Sequence, residues 1–118
     1  MRACAPREAA RQAVAAHADR PATAILHDTP DARLVVFRLA PGQAVPPHRS
    51  ASSVLLTVLE GTGVLSGEDG GVACERDCAA GDVVAYAPHE LHGMRAGDGE
   101  LLLLATITPR PGERPGSR

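Results

Sequence analysis

Short apolar runs, separated by turn-forming residues such as Gly, Pro and Asp, dominate the chain from Thr23 onward. Spacing of this kind is typical of β-strands joined by tight turns. The pattern predicts strands at 23–27, 33–39, 53–59, 63–66, 72–78, 82–86, 92–95 and 100–108. Because neither a second helical pattern nor an internal repeat interrupts them, the chain is predicted to be an all-β sandwich or barrel.

The two ends of the chain differ from this pattern. Residues 6–20 predict a short helix, in which Pro6 suits the first turn, Glu8 lies near the positive end of the helix dipole and Pro21 ends it. Residues 109–118 are rich in Pro, Gly and Arg and predict a disordered tail. The sequence therefore divides into an N-terminal helical arm (1–22), a barrel (23–108) and a tail (109–118).

Composition narrows the classes of function. A chain of 118 residues, 44% of them hydrophobic, has room for one core. The formal net charge is −2, and no cluster of Lys or Arg marks a face that would bind nucleic acid. Since Phe37 and Tyr86 are the only aromatic residues, a base-stacking platform is not expected either. No nucleic-acid partner is therefore predicted.

Compartment and redox state follow from similarly simple features. The apolar run Leu101–Ala105 is far too short to cross a membrane, and charged residues at 7, 8 and 11 interrupt any signal-peptide core. The three cysteines are an odd number, and Cys74 and Cys78 do not have the spacing of a zinc knuckle. We therefore expect a cytoplasmic protein with free thiols and no membrane partner.

Two segments carry the candidate chemistry. The first begins PGQAVPPH at Pro41 and continues to VLEGTG, and the second runs from AGDVV at Ala80 to PHELH at His92. They resemble the two motifs of the cupin superfamily, G-x5-H-x-H-x3-4-E-x6-G and G-x5-P-x-G-x2-H-x3-N. Gly42, His48 and Gly61 match the first motif, and Gly81 and His92 match the second.

The resemblance implies a fold and a partner. It predicts a small antiparallel jelly-roll barrel, of the single-domain RmlC-like type, preceded by the short N-terminal helix. Small proteins of this superfamily commonly form dimers, so the resemblance also implies a homodimer. Leu55 and Leu59, together with the run Leu101–Leu104, are candidates for packing the second sheet or a subunit partner.

The resemblance also indicates a metal site, although this chain departs from the family's pattern. Cupins usually hold a metal with three His and one Glu, but Ser50 stands at the second His position and Val54 at the Glu position. His48 and His92 are the retained ligands. Two imidazoles need at least one further ligand for Zn, Ni, Fe or Mn. The candidates for it are His89, Glu90 and Gln43, with His89 the preferred one.

The alternation of a strand makes a separate prediction for the interior. If His48 points into the barrel, so does every second residue after it, namely Ser50, Ser52, Val54, Leu56 and Val58. Such a wall would hold a small, partly apolar ligand and lacks a carboxylate to neutralise a divalent ion. The predicted ligand contacts are Gln43, Ser50, Ser52, Val54, Tyr86 and Glu90.

Three functions remain open on the sequence. The first is a cupin that binds a small molecule, with or without a weakly held divalent metal. The second is a metal-dependent enzyme of the dioxygenase or isomerase type, with His48 and His92 as ligands. The third is a barrel that serves only for assembly. We place the first ahead of the others because it requires no residue that the sequence lacks.

Overall fold

A computed structural model describes residues 1–112 of the protein. Within this range the chain forms one short helix and nine strands. They are α1 (Pro6–Gln12), β1 (Ala22–Asp28), β2 (Arg33–Leu39), β3 (Ala44–His48), β4 (Ser53–Glu60), β5 (Thr62–Asp69), β6 (Val72–Ala79), β7 (Val83–Tyr86), β8 (His92–Ala96) and β9 (Leu101–Thr108).

The strands form two antiparallel sheets. One has the order β1-β2-β9-β4-β7 and the other the order β3-β8-β5-β6. Because β4 belongs to the first sheet and β5 to the second, the chain changes sheets at Gly61, the one residue between them. The arrangement is a small jelly roll, which confirms the predicted fold class.

The core lies between the sheets and follows the alternation of the strands. Leu101 and Leu103 of β9 point into it and are fully buried, as are Leu39 of β2 and Leu65 of β5. Leu102 points to the opposite face, where it packs with Val36 and with Ala10 of the helix. The apolar run that begins at Leu101 therefore supplies two separate clusters.

The helix is shorter than predicted. It ends at Gln12 rather than at residue 20, because Ala13 adopts an extended conformation with φ −62° and ψ 140°. The Arg38 guanidinium explains the early end: it donates to the carbonyl oxygens of Ala10 (3.2 Å) and Ala13 (2.6 Å). A tertiary contact thus satisfies carbonyls that a longer helix would have used.

Strand β3 was missed by the sequence pattern. It contains Pro46 and Pro47, which cannot donate to a ladder and which argue against a strand. In the structure β3 pairs only with β8 and has no second neighbour among the described residues, so these prolines sit on an edge strand. A register shift between Val45 and His48 accommodates them.

The beginning of the predicted tail contacts the barrel. Pro109 accepts a hydrogen bond from the Ser52 hydroxyl at 2.7 Å, and the Arg110 amide donates to the Pro30 carbonyl at 3.2 Å. Residues 113–118, the rest of the predicted disordered tail, lie outside the described residues. The division into arm, barrel and tail stays a prediction.

Two further expectations bear on the outside of the barrel. Leu55 and Val83 are exposed on the first sheet, so the homodimer stays a prediction with an apolar surface available to it. Within residues 1–112, no helix has the length and apolar character needed to span a membrane.

Candidate functional site

His48 and His92 lie side by side. They are direct partners in the pairing of β3 with β8, and their ring centroids are 4.1 Å apart with the planes at 62°. His92 is 8% exposed, whereas His48 is exposed. The two motif histidines, distant from each other in sequence, therefore share one site that extends from the interior towards solvent.

In both histidines, a backbone carbonyl oxygen contacts the same ring nitrogen, Nδ1. Nδ1 of His48 lies 3.1 Å from the Pro46 oxygen, and Nδ1 of His92 lies 3.2 Å from the Glu90 oxygen. Because a carbonyl oxygen can only accept, both Nδ1 atoms carry the hydrogen in these contacts. Each neutral ring is then left with Nε2 as an acceptor, and neither Nε2 has a hydrogen-bond partner among residues 1–112.

The environment of His92 favours its neutral form. Burial lowers the pKa of His92, the hydrogen bond to the Glu90 carbonyl opposes this, and the neighbouring His48 ring lowers the pKa further. The result is a pKa below the ordinary value of 6.5. The buried ring is therefore an uncharged acceptor at neutral pH.

Acidification should destabilise the protein through His92. A lowered pKa means that the unfolded chain takes up a proton which the folded protein resists, so stability is lost as the pH falls from about 6.5 towards the lowered value. We expect a loss of about 1.4 kcal/mol for each unit by which the pKa is lowered. The free energy of unfolding, measured with urea at pH 7.5 and 5.5, checks this.

Two variants identify the group responsible. His92→Asn should show a smaller loss between the two pH values than the wild type. Val45→Ala, which removes packing from the same part of the barrel without changing a titratable group, should keep the wild-type loss. An equal loss of stability between pH 7.5 and 5.5 in His92→Asn and the wild type would show that His92 is not the group responsible.

A cavity of about 270 Å³ opens beside the histidine pair. Its polar lining consists of His48, His92 and Ser50, and no charged side chain lines it within the described residues. The remaining lining residues are apolar or glycine: Phe37, Val45, Val54, Leu56, Gly93, Met94, Ala105, Ile107 and Pro111. Ligand sites commonly combine such apolar walls with a few polar groups, and this volume suits a small ligand.

The Ser50 hydroxyl is the unusual group in this lining. Its oxygen is buried and has no hydrogen-bond partner within residues 1–112. Ser52, two residues further on and also buried, donates instead to the Pro109 carbonyl at 2.7 Å. Since leaving a buried hydroxyl without a partner costs about 1–3 kcal/mol, Ser50 is a group that a ligand can satisfy.

Val54 and Tyr86 occupy different positions relative to the cavity. Val54 lines it, as the alternation predicts. Tyr86 packs behind His92, with ring centroids 5.4 Å apart, and its hydroxyl donates to the Ser66 carbonyl at 2.8 Å. Burial raises the pKa of Tyr86 to about 12, with smaller contributions from Cys78, Cys74 and Glu90. Tyr86 does not line the cavity and supports the histidine from the core.

The remaining predicted residues do not line the cavity. His89 sits on an exposed turn with φ 70°, where its amide donates to the Ser50 carbonyl at 2.7 Å. The Glu90 carboxylate accepts from the Ala87 amide at 2.8 Å, and the Gln43 side chain accepts from the Ala40 amide at 2.9 Å. All three side chains are absent from the cavity lining, and the last two stabilise local turns.

Several lining residues were not singled out from the sequence. Phe37 on β2, and Ala105 and Ile107 on β9, follow the inward alternation of their strands, so the pattern was available there. Met94 lies two residues after His92 and on the same face of β8. Pro111 had no sequence signal because it lies in the segment interpreted as a tail.

The residues present do not fit the four-ligand metal site of the family. Within residues 1–112, no group of three or more His, Cys, Asp or Glu side chains is arranged to hold a metal ion. The cavity offers two imidazoles, and its walls at the family's other ligand positions are Ser50 and Val54. A hard divalent ion would lack a carboxylate to neutralise its charge.

Comparison with known families gives one match. The family model described as "Cupin domain" matches residues 35–107. A search of curated proteins found no significant match.

Many solved structures are similar in fold. An uncharacterized conserved protein with a double-stranded beta-helix domain from Klebsiella pneumoniae is 22% identical, with a TM-score of 0.76 over 92% of this chain and 90% of its own. The protein TT1209 from Thermus thermophilus is 25% identical, with a TM-score of 0.73 over 86% and 94%. An RmlC-like cupin protein from Desulfovibrio desulfuricans is 28% identical, with a TM-score of 0.70 over 83% and 91%.

Proposed function

Because this chain belongs to the cupin family, we propose that its barrel binds a small, largely apolar organic molecule beside His48 and His92. The observation that carries the proposal is the Ser50 hydroxyl, which belongs to a cavity-lining residue and is buried without a partner among the described residues. Proteins rarely retain such a group, because its desolvation is not compensated in the free protein. A bound ligand would supply the missing hydrogen bond.

The shape and chemistry of the cavity agree with this function. Its walls are predominantly apolar, and its three polar groups come from two segments, His48 and Ser50 at or just after the end of β3 and His92 on β8. Such convergence of a few polar groups in an apolar cavity is the usual composition of a small-molecule site. The proposed role is therefore binding, as in a sensor or accessory protein, and requires neither a metal nor a covalent step.

The hydroxyls of Ser50 and Ser52 provide a test on the free protein. Ser50→Ala removes an unpartnered hydroxyl and should raise the free energy of unfolding by about 1 kcal/mol. Ser52→Ala removes the donor to the Pro109 carbonyl and should lower it by a similar amount. Urea denaturation of both variants measures whether each substitution raises or lowers the free energy of unfolding. A loss of stability in Ser50→Ala would show that its hydroxyl already has a partner in the free protein and would remove the basis of the proposal.

A second candidate is a metal-dependent cupin enzyme that uses His48 and His92 as ligands. One observation favours it: the carbonyl contacts at both Nδ1 atoms fix the rings and leave both Nε2 atoms available, as the hydrogen bonds behind metal-binding histidines do. The missing third ligand places it behind the binding function. Elemental mass spectrometry of protein purified without chelator separates the two: stoichiometric metal that is lost in His48→Ala would favour the enzyme.

A further inference from the structure

The hydrogen-bonding capacity of the cavity is almost entirely that of an acceptor. With both Nδ1 hydrogens directed to the Pro46 and Glu90 carbonyls, each neutral histidine keeps Nε2, an acceptor, as its unengaged nitrogen. Ser50 is the only residue in the described lining whose side chain has a hydrogen left to donate to a ligand. A ligand that meets this set must itself donate a hydrogen bond.

Charge is poorly accommodated in the same space. The described lining contains no Arg or Lys that would pair with an anion and no Asp or Glu that would pair with a cation. Transferring a carboxylate into an apolar site without a partner is costly.

A hydroxyl group on the ligand suits the three polar groups. Its hydrogen can be donated to a histidine Nε2, while its oxygen can accept the hydrogen of the Ser50 hydroxyl. An ether or a carboxylate oxygen can accept from Ser50 but cannot donate to a neutral imidazole. The volume of about 270 Å³ and the apolar walls suit a single small ring or a short branched chain on that hydroxyl.

We infer that the cavity selects neutral hydroxyl compounds, such as small phenols and alcohols, over carboxylates and ethers of the same shape. The inference rests on the proposed function, since it names the class of ligand for the same site. His48 and His92 act as the acceptors, and Ser50 acts as the donor.

Four toluenes that differ only in their para substituent test the selection. They are 4-methylphenol, 4-methylanisole, 4-methylbenzoate and p-xylene, titrated into the full chain at pH 7.5 and followed by two-dimensional NMR. We expect 4-methylphenol to bind at least tenfold more tightly than each of the other three. Binding of 4-methylbenzoate or 4-methylanisole as tightly as the phenol would overturn the inference while leaving the proposed function intact. Failure of all four to bind at millimolar concentration would count against the proposed function itself.

Variants assign the preference to the named groups. His48→Ala changes an exposed side chain and should reduce the affinity for 4-methylphenol about tenfold while leaving that for p-xylene unchanged. Ser50→Ala should reduce the phenol affinity severalfold, again without affecting p-xylene. His17→Asn is the matched control: its side chain is exposed and does not line the cavity, so affinity should not change. An equal loss of affinity for 4-methylphenol and p-xylene would indicate disturbed packing. It would contradict the assignment of the hydroxyl preference to His48 and Ser50.

A direct measurement of the tautomer completes the test. Long-range ¹H–¹⁵N correlation spectra distinguish a protonated imidazole nitrogen from one with a free lone pair. We expect both histidines to carry their hydrogen on Nδ1 at pH 7.5. Observation of the Nε2–H tautomer or of an imidazolium at either position would overturn the inference, whether or not a ligand binds.

Discussion

Gly61→Ala is expected to destabilise the protein by about 3–5 kcal/mol. Gly61 joins β4 to β5 at φ 85°, and a Cβ atom there would overlap the backbone carbonyl of Glu100. Both causes act together, since the positive φ disfavours any L side chain and the overlap forces the start of β9 away from the turn. Thermal unfolding followed by circular dichroism should show a midpoint lower by more than about 10 °C.

Gly42→Ala separates the two causes. Gly42 has a similar φ of 73°, but no atom beyond its two chain neighbours lies within 4 Å of the position that a Cβ would take. The control should therefore lose only the conformational part, about 1–2 kcal/mol. Equal losses in the two variants would mean that the contact with Glu100 contributes nothing and that the passage between the sheets tolerates a side chain.

Val54→Glu is expected to destabilise the protein by about 3 kcal/mol or more at pH 7. Val54 is 4% exposed and lines the cavity, where no charged group of the described residues can pair with a carboxylate. Burial should raise the pKa of the new carboxyl, so that the penalty is smaller at pH 4.5 than at pH 8. Urea denaturation of the variant and the wild type at both pH values measures this loss of stability. Val54→Gln has the same size without the charge and should lose less stability at pH 8.

Added zinc provides the second measurement on the same variant. The substitution places a carboxylate at the family's Glu position, beside two histidines whose Nδ1 atoms are already held by carbonyls. Zinc at a hundred times its dissociation constant would restore about 2.7 kcal/mol. We expect this recovery in Val54→Glu and not in Val54→Gln or the wild type. Stabilisation of the wild type to the same extent would show that its two histidines suffice and would favour the metal-dependent enzyme.

Most strands could be located from the sequence because each carries an alternating apolar pattern and ends at a Gly, Pro or Asp turn. Strand β2 (Arg33–Leu39) has the predicted bounds, and β9 differs from its prediction only in its first residue. Strand β3 was not predicted, since Pro46 and Pro47 are tolerated there only by its position at the edge of a sheet. Edge position is a property of the whole sheet and cannot be read from the segment alone.

The site was predictable to a smaller degree. The motif spacing placed His48 and His92 together, and the count of every second residue from His48 placed Ser50 and Val54 on the cavity wall. The strand assumed in that count is not continuous, since β3 ends at His48 and β4 begins at Ser53 in the other sheet. The same alternation predicted Ser52 as a ligand contact, but its hydroxyl is used by Pro109, a residue in the segment interpreted as a tail. A partner contributed from so far along the chain leaves no signal near Ser52.

The sequence by itself determined the jelly-roll class, most of the strand positions and the pairing of two motif histidines, because these depend on local periodicity and on spacing within a known pattern. Only the tertiary structure decided which ring nitrogen of each histidine is free, because that depends on the Pro46 and Glu90 carbonyls beside Nδ1. It also decided that the Ser50 hydroxyl lacks a partner among residues 1–112 while that of Ser52 has one. Hydrogen bonds form with whatever groups the folded chain brings within about 3 Å. The Pro46 and Glu90 carbonyls are near in sequence but reach Nδ1 only through the local backbone conformation, whereas Pro109 is brought to Ser52 from far along the chain.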